Sequence, residues 1–320
     1  MRTPTLSVLM PNYSHGHYLA EAILGIATQS RPPDEFLILD DASTDNSIEI
    51  IRPFLDRFPF LRLIQNCRNE GVIASYQRLF DEARCDYVFA AATDDIRLPG
   101  FFDQAMRMVE QYPRAGLVFG KLDMIDAKGR LLLSGKASRW KTSLYAPPER
   151  FLHEYLEVEL PGESACSATI YRRDAIEEVG GYRAELRSWA DTFAFRAVGL
   201  KYGVCYLATK VVHVRVLPGS FSQQDGREVR KILDMISCAA ALMQSEEFRA
   251  RFPRDYVRGW RQAHGLQVIW GDFLGPETPG LRRPSFLVRN LRRLPRLPRL
   301  LSLLLYWGRL SLEEDKRPIA

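Results

Sequence analysis

Short apolar runs alternate with helical periodicity along the first 120 residues of this chain of 320 residues. The run Leu6–Met10 is apolar almost throughout, which is typical of a strand covered on both faces. Apolar residues then recur from Leu19 to Ala27 at the i, i+3, i+4, i+7 spacing of an amphipathic helix. Repeated alternation of this kind predicts right-handed βαβ units and a mostly parallel, doubly wound α/β sheet flanked by helices.

The alternation changes after Lys121, and we predict a first domain over residues 1–222 and a helical C-terminal region over 223–320. Strands are predicted over Leu6–Met10, Glu35–Asp40, Leu61–Ile64, Tyr87–Ala91, Gly116–Gly120, Val204–Leu207 and Lys210–Val216. Helices are predicted over Leu19–Ala27, Ile48–Leu55, Val72–Ala83, Phe101–Tyr112, Tyr171–Val179 and Asp191–Gly199. Asp126–Gly129 indicates a hairpin turn, and residues 134–150 an irregular loop.

The formal net charge of +5 is concentrated near the C-terminus, where residues 281–301 contain seven arginines and no acid. The first 280 residues are therefore mildly acidic, which argues against a nucleic-acid-binding domain. Five scattered cysteines without a C-x-x-C pair predict small buried side chains in a reducing compartment. No signal peptide or membrane-spanning run is visible, so we expect a cytoplasmic protein.

Two pairs of carboxylates follow predicted strands. Asp40 and Asp41 close the second strand, and Asp94 and Asp95 close the fourth. Ligands of open α/β sheets bind beyond the carboxyl ends of the strands, so both pairs are expected at one crevice. Like charges repel there unless a cation or hydrogen-bond donors lie between them. The alternative is that each pair only caps a helix or forms an Asx turn.

Several motifs in the same order resemble glycosyltransferase family 2, whose members have the GT-A fold. The matching stretches are S-V-L-M-P-N-Y-S at 7–14, D-D-A-S-T-D at 40–45, R-N-E-G at 68–71, A-T-D-D at 92–95, S-A-T-I-Y-R-R-D-A-I-E-E-V-G-G-Y at 167–182 and W-A-D-T at 189–192. The resemblance covers residues 6–125 and, more loosely, the chain to about residue 220. It implies an inverting, nucleotide-sugar-dependent hexosyltransferase-like enzyme of polysaccharide or glycolipid assembly.

The resemblance also implies roles for donor-binding residues. Pro11 and Tyr13 would flank the nucleotide base, Asp41 would hydrogen-bond the base, and Asp94 would bind near the ribose. Arg68 would neutralise charge on the diphosphate, since guanidinium pairs well with phosphate oxygens.

Asp95 would hold a divalent cation, Mn²⁺ or Mg²⁺, against the donor diphosphate, and Asp191 matches the family's catalytic base. A hard cation on oxygen ligands stabilises the departing diphosphate, and a carboxylate can accept the proton of the acceptor hydroxyl. An acid in the first helical turn is also stabilised by the helix dipole, which predicts a lowered pKa for Asp191. Trp189 is either a stacking platform for the acceptor or a core residue.

One departure concerns a late histidine that many family members use near the metal. Leu217 occupies its place and His213 lies four residues earlier, so we expect His213 to make a structural hydrogen bond. Two other functions remain open. A nucleotidyltransferase would need an early basic loop, which Asn12–Gly16 does not offer, and a non-catalytic relative would bind a nucleotide sugar without transferring it.

The segment 281–308 mixes arginines with leucines and ends in Tyr306 and Trp307. Such a segment can lie in the interface of an anionic membrane, with the aromatic rings at headgroup level. Peripheral attachment to the inner face of a membrane would suit a lipid-linked acceptor. The alternative is a helix packed on the protein or a site for a partner protein.

Overall fold

The computed structural model describes residues 3–134, 140–159, 166–217, 228–274 and 302–308. The chain divides into two compact units, Met1–Pro218 and Gly219–Ala320. The boundary expected at residue 222 falls outside the described residues and stays a prediction. No helix within the described ranges is long and apolar enough to cross a membrane.

The first unit contains one mixed sheet, in which ten strands are described. They are β1 (Leu6–Asn12), β2 (Glu35–Asp40), β3 (Leu61–Gln65), β4 (Tyr87–Ala90), β5 (Ile96–Arg97), β6 (Leu117–Ile125), β7 (Leu131–Ser134), β8 (Leu144–Ala146), β9 (Thr169–Arg172) and β10 (Val204–Arg215). The order is β3-β2-β1-β4-β9-β6-β10-β5, while β7 pairs with β6 and β8 pairs with β10.

Parallel pairing joins β3, β2, β1 and β4, and also joins β6 to β10. Between these two groups lies β9, which is antiparallel to both β4 and β6. The two groups therefore run in the same direction, and the carboxyl ends of β1, β2, β4, β6 and β10 meet at one edge of the sheet. The expected α/β architecture is confirmed.

Helices lie between the strands of the first unit and form the described part of the second. They are α1 (Gly16–Ala27), α2 (Ser47–Arg57), α3 (Val72–Glu82), α4 (Phe101–Gln111), α5 (Pro148–Phe151), α6 (Arg173–Glu178), α7 (Ala190–Tyr202), α8 (Val229–Met243) and α9 (Arg254–Leu274), with a further short helix over 302–308. Glycine at 203 ends α7 with φ +74°, a left-handed conformation that costs glycine little.

Three sequence predictions about elements are corrected by the structure. The helix predicted over Tyr171–Val179 is a strand followed by a short helix, β9 and α6. The two strands predicted between residues 204 and 216 are one strand, β10, whose pairing with β6 is interrupted between Leu207 and Val212. The loop predicted over 134–150 contains β8 and most of α5. The turn at Asp126–Gly129 is confirmed, since Gly129 N donates to Asp126 O at 3.0 Å.

The cysteines also differ in part from expectation. Cys85, Cys166 and Cys205 are buried, as predicted, but Cys67 and Cys238 are exposed. None of the five, which all lie within the described residues, forms a disulfide bond.

The short helix over 302–308 packs within the second unit through Trp307, which is 6% exposed. Its indole lies where a Cβ on Gly265 would overlap it, and the Arg261 guanidinium lies 4.5 Å from its ring centroid. Trp307 is therefore a core residue of this unit rather than an aromatic group free to reach lipid headgroups. Residues 281–301 lie outside the described residues.

The centre of the first unit is β1, whose Leu9 side chain is fully buried in the sheet. We expect Leu9→Ala to lower the free energy of unfolding by about 2–5 kcal/mol, because the truncation loses transfer free energy and leaves a cavity. Chemical denaturation measures the change. The matched control is Leu131→Ala, where the leucine is 60% exposed and a change of about 0.5 kcal/mol or less is expected. Equal losses in the two variants would contradict this description of the core.

Candidate active site

The loops that follow β1 and β2 are joined through Asp40. Asn12 Nδ2 donates to Asp40 Oδ1 at 2.8 Å and to Ser43 Oγ at 3.0 Å. The Ser43 backbone and hydroxyl both donate to the Asp40 carboxylate, and Ser14 N donates to Ser43 Oγ at 2.8 Å. Asp40 is 2% exposed. The Asp40 carboxylate thus accepts hydrogen bonds from both loops and holds them together.

Asp41 faces a different loop, the one between β3 and α3. Its Oδ1 accepts from Asn66 Nδ2 at 2.7 Å and from Glu70 N at 2.9 Å, and its Oδ2 accepts from Gly71 N at 2.8 Å. A carboxylate has about four acceptor positions, so roughly one stays available. Asp41 therefore shapes the 66–71 loop and keeps limited capacity for a ligand.

The other residues expected around the donor lie at the surface of the same region. Tyr13 is 47% exposed, Pro11 is half-buried, and the Arg68 side chain is 85% exposed with Nε 3.6 Å from Glu70. Pro11 lies near the end of β1, while Tyr13 and Arg68 lie in the loops beyond β1 and β3, at the edge where the carboxyl ends of the parallel strands meet.

A hydrogen bond connects the loop after β1 with the loop after β4. His15 Nδ1 and Thr93 Oγ1 lie 2.9 Å apart, and Thr93 immediately precedes the second acid pair. Asp94 is half-buried and Asp95 is 3% exposed. Both acid pairs are thereby held to the same loop, so the two predicted groups of carboxylates do share one edge.

Asp95 receives few hydrogen-bond donors for a buried acid. Its Oδ1 accepts from Arg215 N at 2.9 Å, while its Oδ2 lies 3.9 Å from Arg97 Nη2. Burial raises the pKa of Asp95 to about 7; the charge of Asp94 adds to the rise, and Arg97 and the Arg215 N–H oppose it. Desolvation dominates because the few donors here do not compensate for the loss of water.

Arg215 at the end of β10 connects this region to its surroundings. Its Nε donates to Asp94 O at 2.9 Å, its Nη1 donates to the carbonyls of Asp126 and Ala127, and its Nη2 donates to Glu21 Oε2 at 3.0 Å. With these bonds made inside the protein, Arg215 positions the loop of Asp94 and Asp95 instead of binding phosphate. Sequence reasoning missed it, although an arginine within the apolar run of β10 is an unusual feature.

Asp191 lies in the first turn of α7, two residues after Trp189, the residue that precedes the helix. Thr192 N donates to Asp191 Oδ1 at 2.5 Å. Burial nevertheless raises the pKa of Asp191, and the hydrogen bonds from Thr192 and the charge of Arg196 only oppose the rise. The lowered pKa expected from the helix terminus is therefore wrong, because desolvation outweighs the helix dipole at this half-buried residue. Trp189 is half-buried.

Tyr76 of α3 relates Asp191 to the second acid pair, and sequence reasoning did not single it out. Its hydroxyl donates to Ala91 O at 3.2 Å, just before the Asp94–Asp95 turn. Burial raises the pKa of Tyr76, and the charges of Asp95, Asp191 and Asp94 add to the rise while Arg97 opposes it. The charges of all three carboxylates thus contribute to the pKa of one phenol. The sequence around Tyr76 does not predict this role, since a tyrosine on a helix more often packs in a core.

Backbone strain is concentrated in the same loops. Among the described residues, the non-glycine residues with positive φ are Ser14 (52°), Ala42 (61°) and Arg187 (49°). They lie in the loop after β1, directly after Asp41, and in the turn before Asp191. Such conformations cost energy and are found disproportionately at binding and catalytic sites.

His213 lies on β10 beside Asp123 of β6, with His213 Nε2 3.8 Å from Asp123 Oδ2. Lys210 Nζ also contacts this carboxylate, at 2.7 Å. His213 thus has an acidic neighbour on the adjacent strand, but 3.8 Å is too long for the hydrogen bond expected of it, and its structural role stays a prediction.

The residues present suit a cation that is shared with a substrate. The described parts of the chain contain no cluster of three or more His, Cys, Asp or Glu residues that would hold a metal by themselves. Magnesium-like ions are commonly bound by one or two carboxylates together with substrate phosphates. The adjacent Asp94 and Asp95 fit that pattern, and Asp95 Oδ2 has acceptor capacity for a cation.

Comparison with solved structures identifies the fold. The structure of S. aureus TarS in complex with UDP-GlcNAc matches 96% of this chain and 81% of its own, with TM-score 0.67 and 16% identity. The mannosyltransferase PcManGT from Pyrobaculum calidifontis, in complex with GDP-Man and Mn²⁺, matches 99% of this chain and 89% of its own, with TM-score 0.55 and 14% identity. The fold is that of the GT-A glycosyltransferases.

The model of the family described as "Glycosyl transferase family 2" matches residues 7–180, which is more than half of the chain. The protein belongs to glycosyltransferase family 2. An uncharacterized glycosyltransferase of Haemophilus influenzae is 35% identical over 95 residues, 30% of this chain and 38% of the relative. Bacillus subtilis EpsE, also named as a glycosyltransferase, is 27% identical over 187 residues, 58% of this chain and 62% of EpsE. The chain thus matches less than two thirds of either relative's length.

The raised pKa of Asp95 makes a prediction about stability in the absence of metal. The pKa of an aspartate is about 4 in the unfolded chain, and burial raises the pKa of Asp95 to about 7 in the folded protein. The folded state therefore binds more protons than the unfolded state between these two pH values. The free energy of unfolding should therefore fall as the pH rises through this window. We expect Asp95→Asn to lack this part of the pH dependence. Urea unfolding in the presence of a chelator, at a series of pH values, measures it; parallel curves for the two proteins would refute the assignment.

Proposed function

We propose that this protein is an inverting glycosyltransferase that moves a sugar from a nucleotide-diphosphate sugar onto an acceptor hydroxyl. The observation that carries the proposal is the position of Asp94 and Asp95 beyond the carboxyl end of β4, where the Tyr76 hydroxyl donates to Ala91 O at 3.2 Å. The charges of Asp95, Asp191 and Asp94 all add to the raised pKa of Tyr76, which supports placing Asp191 near this pair although it lies almost a hundred residues further along the sequence. Donor activation and acceptor deprotonation have to occur side by side, and this arrangement supports both.

In this proposal the donor nucleotide binds over the loops beyond β1, β2 and β3. Pro11 and Tyr13 flank the base, and the remaining acceptor position of Asp41 receives an N–H of the base. Asp94 binds near the ribose. The exposed Arg68 approaches the diphosphate, to which it brings a guanidinium able to pair with phosphate oxygens.

Asp95, with Asp94 beside it, would hold Mn²⁺ or Mg²⁺ together with the donor diphosphate. When bound, such a cation stabilises the negative charge of the leaving nucleoside diphosphate. Asp95 itself contributes a carboxylate whose burial disfavours the ionised form, so the protein holds a site that a cation would complete. Arg215 and Arg97 keep the carboxylate in place through its Oδ1 and the adjoining backbone.

On the acceptor side, Asp191 removes the proton from the attacking hydroxyl. Its raised pKa favours this role, because a base works best when its pKa approaches the working pH. The hydroxyl oxygen bonds to the anomeric carbon while the bond to the diphosphate breaks. A single displacement without a covalent enzyme intermediate inverts the configuration. Trp189, two residues before Asp191, would stack on the acceptor.

The structural relatives guide the choice of partners. TarS was solved with UDP-GlcNAc and PcManGT with GDP-Man and Mn²⁺, which supports a nucleotide-diphosphate hexose as donor here. We propose a carbohydrate or lipid-linked acceptor in polysaccharide or glycolipid assembly, and a cytoplasmic protein that works at the inner face of a membrane. Contact through 281–308 belongs to this proposal, with its arginines and leucines and not the core residue Trp307 as the contacting groups. Flotation with liposomes tests it by comparing the wild type with a variant in which the seven arginines of 281–301 are replaced by glutamine.

The assignment of Asp191 as base predicts a specific defect. We expect Asp191→Asn to lower the rate of transfer by about 10²–10⁴-fold, the usual contribution of a general base, while binding of nucleoside diphosphate with Mn²⁺ is retained. Radiolabelled sugar transfer and calorimetry measure the two properties. Asp174→Asn is the control, since Asp174 is an exposed acid (side chain 71% exposed) at the start of α6, outside the site. Normal turnover by Asp191→Asn would contradict the assignment of Asp191 as the base. If the wild type bound the nucleotide but transferred no sugar, the non-catalytic alternative would be favoured.

The donor site predicts a cation-dependent gain in thermal stability. Ligand bound only to the folded state stabilises it by RT ln(1 + [L]/Kd), so the right nucleotide sugar should raise Tm, and more so with Mn²⁺ or Mg²⁺. A panel of UDP-, GDP- and dTDP-sugars can be compared by thermal shift. Asp95→Asn should lose the part of the shift that requires the cation. An equal shift with and without cation would argue against a metal at Asp95.

A further inference from the structure

Strand β7 exposes three leucines in a row. Leu131, Leu132 and Leu133 are 60%, 57% and 51% exposed, and each belongs to the strand that pairs with the end of β6. Single exposed leucines are ordinary on protein surfaces, whereas contiguous apolar patches usually mark an interaction site.

The leucines point to both faces of the strand. Leu133 lies opposite Met124 of β6 and Leu131 lies opposite Ile125, because the register shifts between these two pairs. Successive side chains of β6 point to opposite faces, so Leu131 and Leu133 lie on opposite faces of the strand. All three leucines are exposed, so neither face of β7 is covered by the described residues. A flat protein surface would cover only one face. Immersion in an apolar medium covers both.

The charge around the hairpin specifies the medium. Residues 127–148 contain five basic side chains and no acidic one, although the main body of the chain is mildly acidic. Of these, Lys128, Arg130 and Lys141 are exposed in the described ranges, with Arg130 also paired to Asp126. Leucines flanked by cations are complementary to an anionic lipid surface, in which acyl chains lie beneath phosphate groups.

The hairpin is attached directly to the candidate active site. The Arg215 guanidinium donates to the turn carbonyls of Asp126 and Ala127 and, through Nε, to Asp94 O. Arg215 N also donates to Asp95 Oδ1. The position of the β6–β7 turn is thereby fixed relative to the acids, and a surface bound by the hairpin would lie beside the donor site.

We propose that the β6–β7 hairpin docks the protein onto an anionic lipid bilayer, with Leu131–Leu133 entering the acyl region and the flanking cations contacting lipid phosphates. This surface is separate from the arginine-rich segment 281–308. It orients the first unit so that the candidate active site faces substrates at the membrane surface.

The test compares binding of the full chain to phosphatidylcholine vesicles with and without phosphatidylserine. We expect binding to the anionic vesicles, and we expect the triple variant L131S/L132S/L133S to lower the partition coefficient by about tenfold or more, since each buried leucine contributes strongly to partitioning. Lys128→Glu should weaken binding to anionic vesicles, and added salt should do the same. Because the leucines are exposed, the triple variant should keep the wild-type Tm and circular dichroism spectrum.

The control is Leu266→Ser, which removes an exposed leucine (40% exposed) of the second unit that lies outside 281–308; it should bind vesicles as the wild type does. The proposal is overturned if the wild type does not bind anionic vesicles, or if the triple variant binds them equally well. It is also overturned if the triple variant retains vesicle binding but loses self-association in sedimentation, because β7 would then be an edge that pairs with a second copy. None of these readouts requires transfer activity.

Discussion

Buried carboxylates at the ends of parallel strands are the constraint on which the site depends. A carboxylate removed from water is stable only if hydrogen-bond donors or a cation replace the lost hydration. Asp40 and Asp41 obtain donors from neighbouring loops: Asn12 and Ser43 for the first, and the 66–71 loop for the second. The same bonds that satisfy these acids therefore define the shape of the loops around the predicted nucleotide site.

Asp95 stands apart because it receives few donors, and the difference accounts for its distinct chemistry. One backbone N–H and a guanidinium 3.9 Å away leave the pKa well above the usual value for an aspartate. If the Asp95 carboxylate accepted as many hydrogen bonds as Asp40 does, it would have little affinity for a cation. Its small number of donors lowers the stability of the metal-free protein and leaves a carboxylate position to which a divalent ion and its diphosphate would bind favourably. Arg97 and Arg215 limit that cost without occupying the position.

The sequence predicted the parts of the fold that depend on local pattern. The apolar runs of β1, β2 and β4, and the acids at the ends of β2 and β4, can be recognised because strand burial and strand ends leave a signature within a few residues. The insertion of β9 between β4 and β6 could not be predicted in this way, because Thr169–Arg172 is too short to separate strand from helix periodicity and its partners lie far along the chain. The direction of the pKa shift at Asp191 failed for a similar reason: position on a helix is local, whereas burial is tertiary.

The strained residues show how the local and tertiary levels are connected. Ser14, Ala42 and Arg187 each adopt positive φ without being glycine, and nothing in their sequence neighbourhoods favours that conformation. Two of them lie beside buried acids: Ser14 bonds Ser43, which bonds the buried Asp40, and Ala42 follows the buried Asp41. Arg187 lies in the turn before the helix that begins at Ala190. A conformation that costs energy persists when the surrounding contacts determine it more strongly than the local preference does. At Ser14 and Ala42 the hydrogen bonds to the buried acids supply such contacts, so there the strain and the placement of the carboxylates follow from the same crowding at one edge of the sheet.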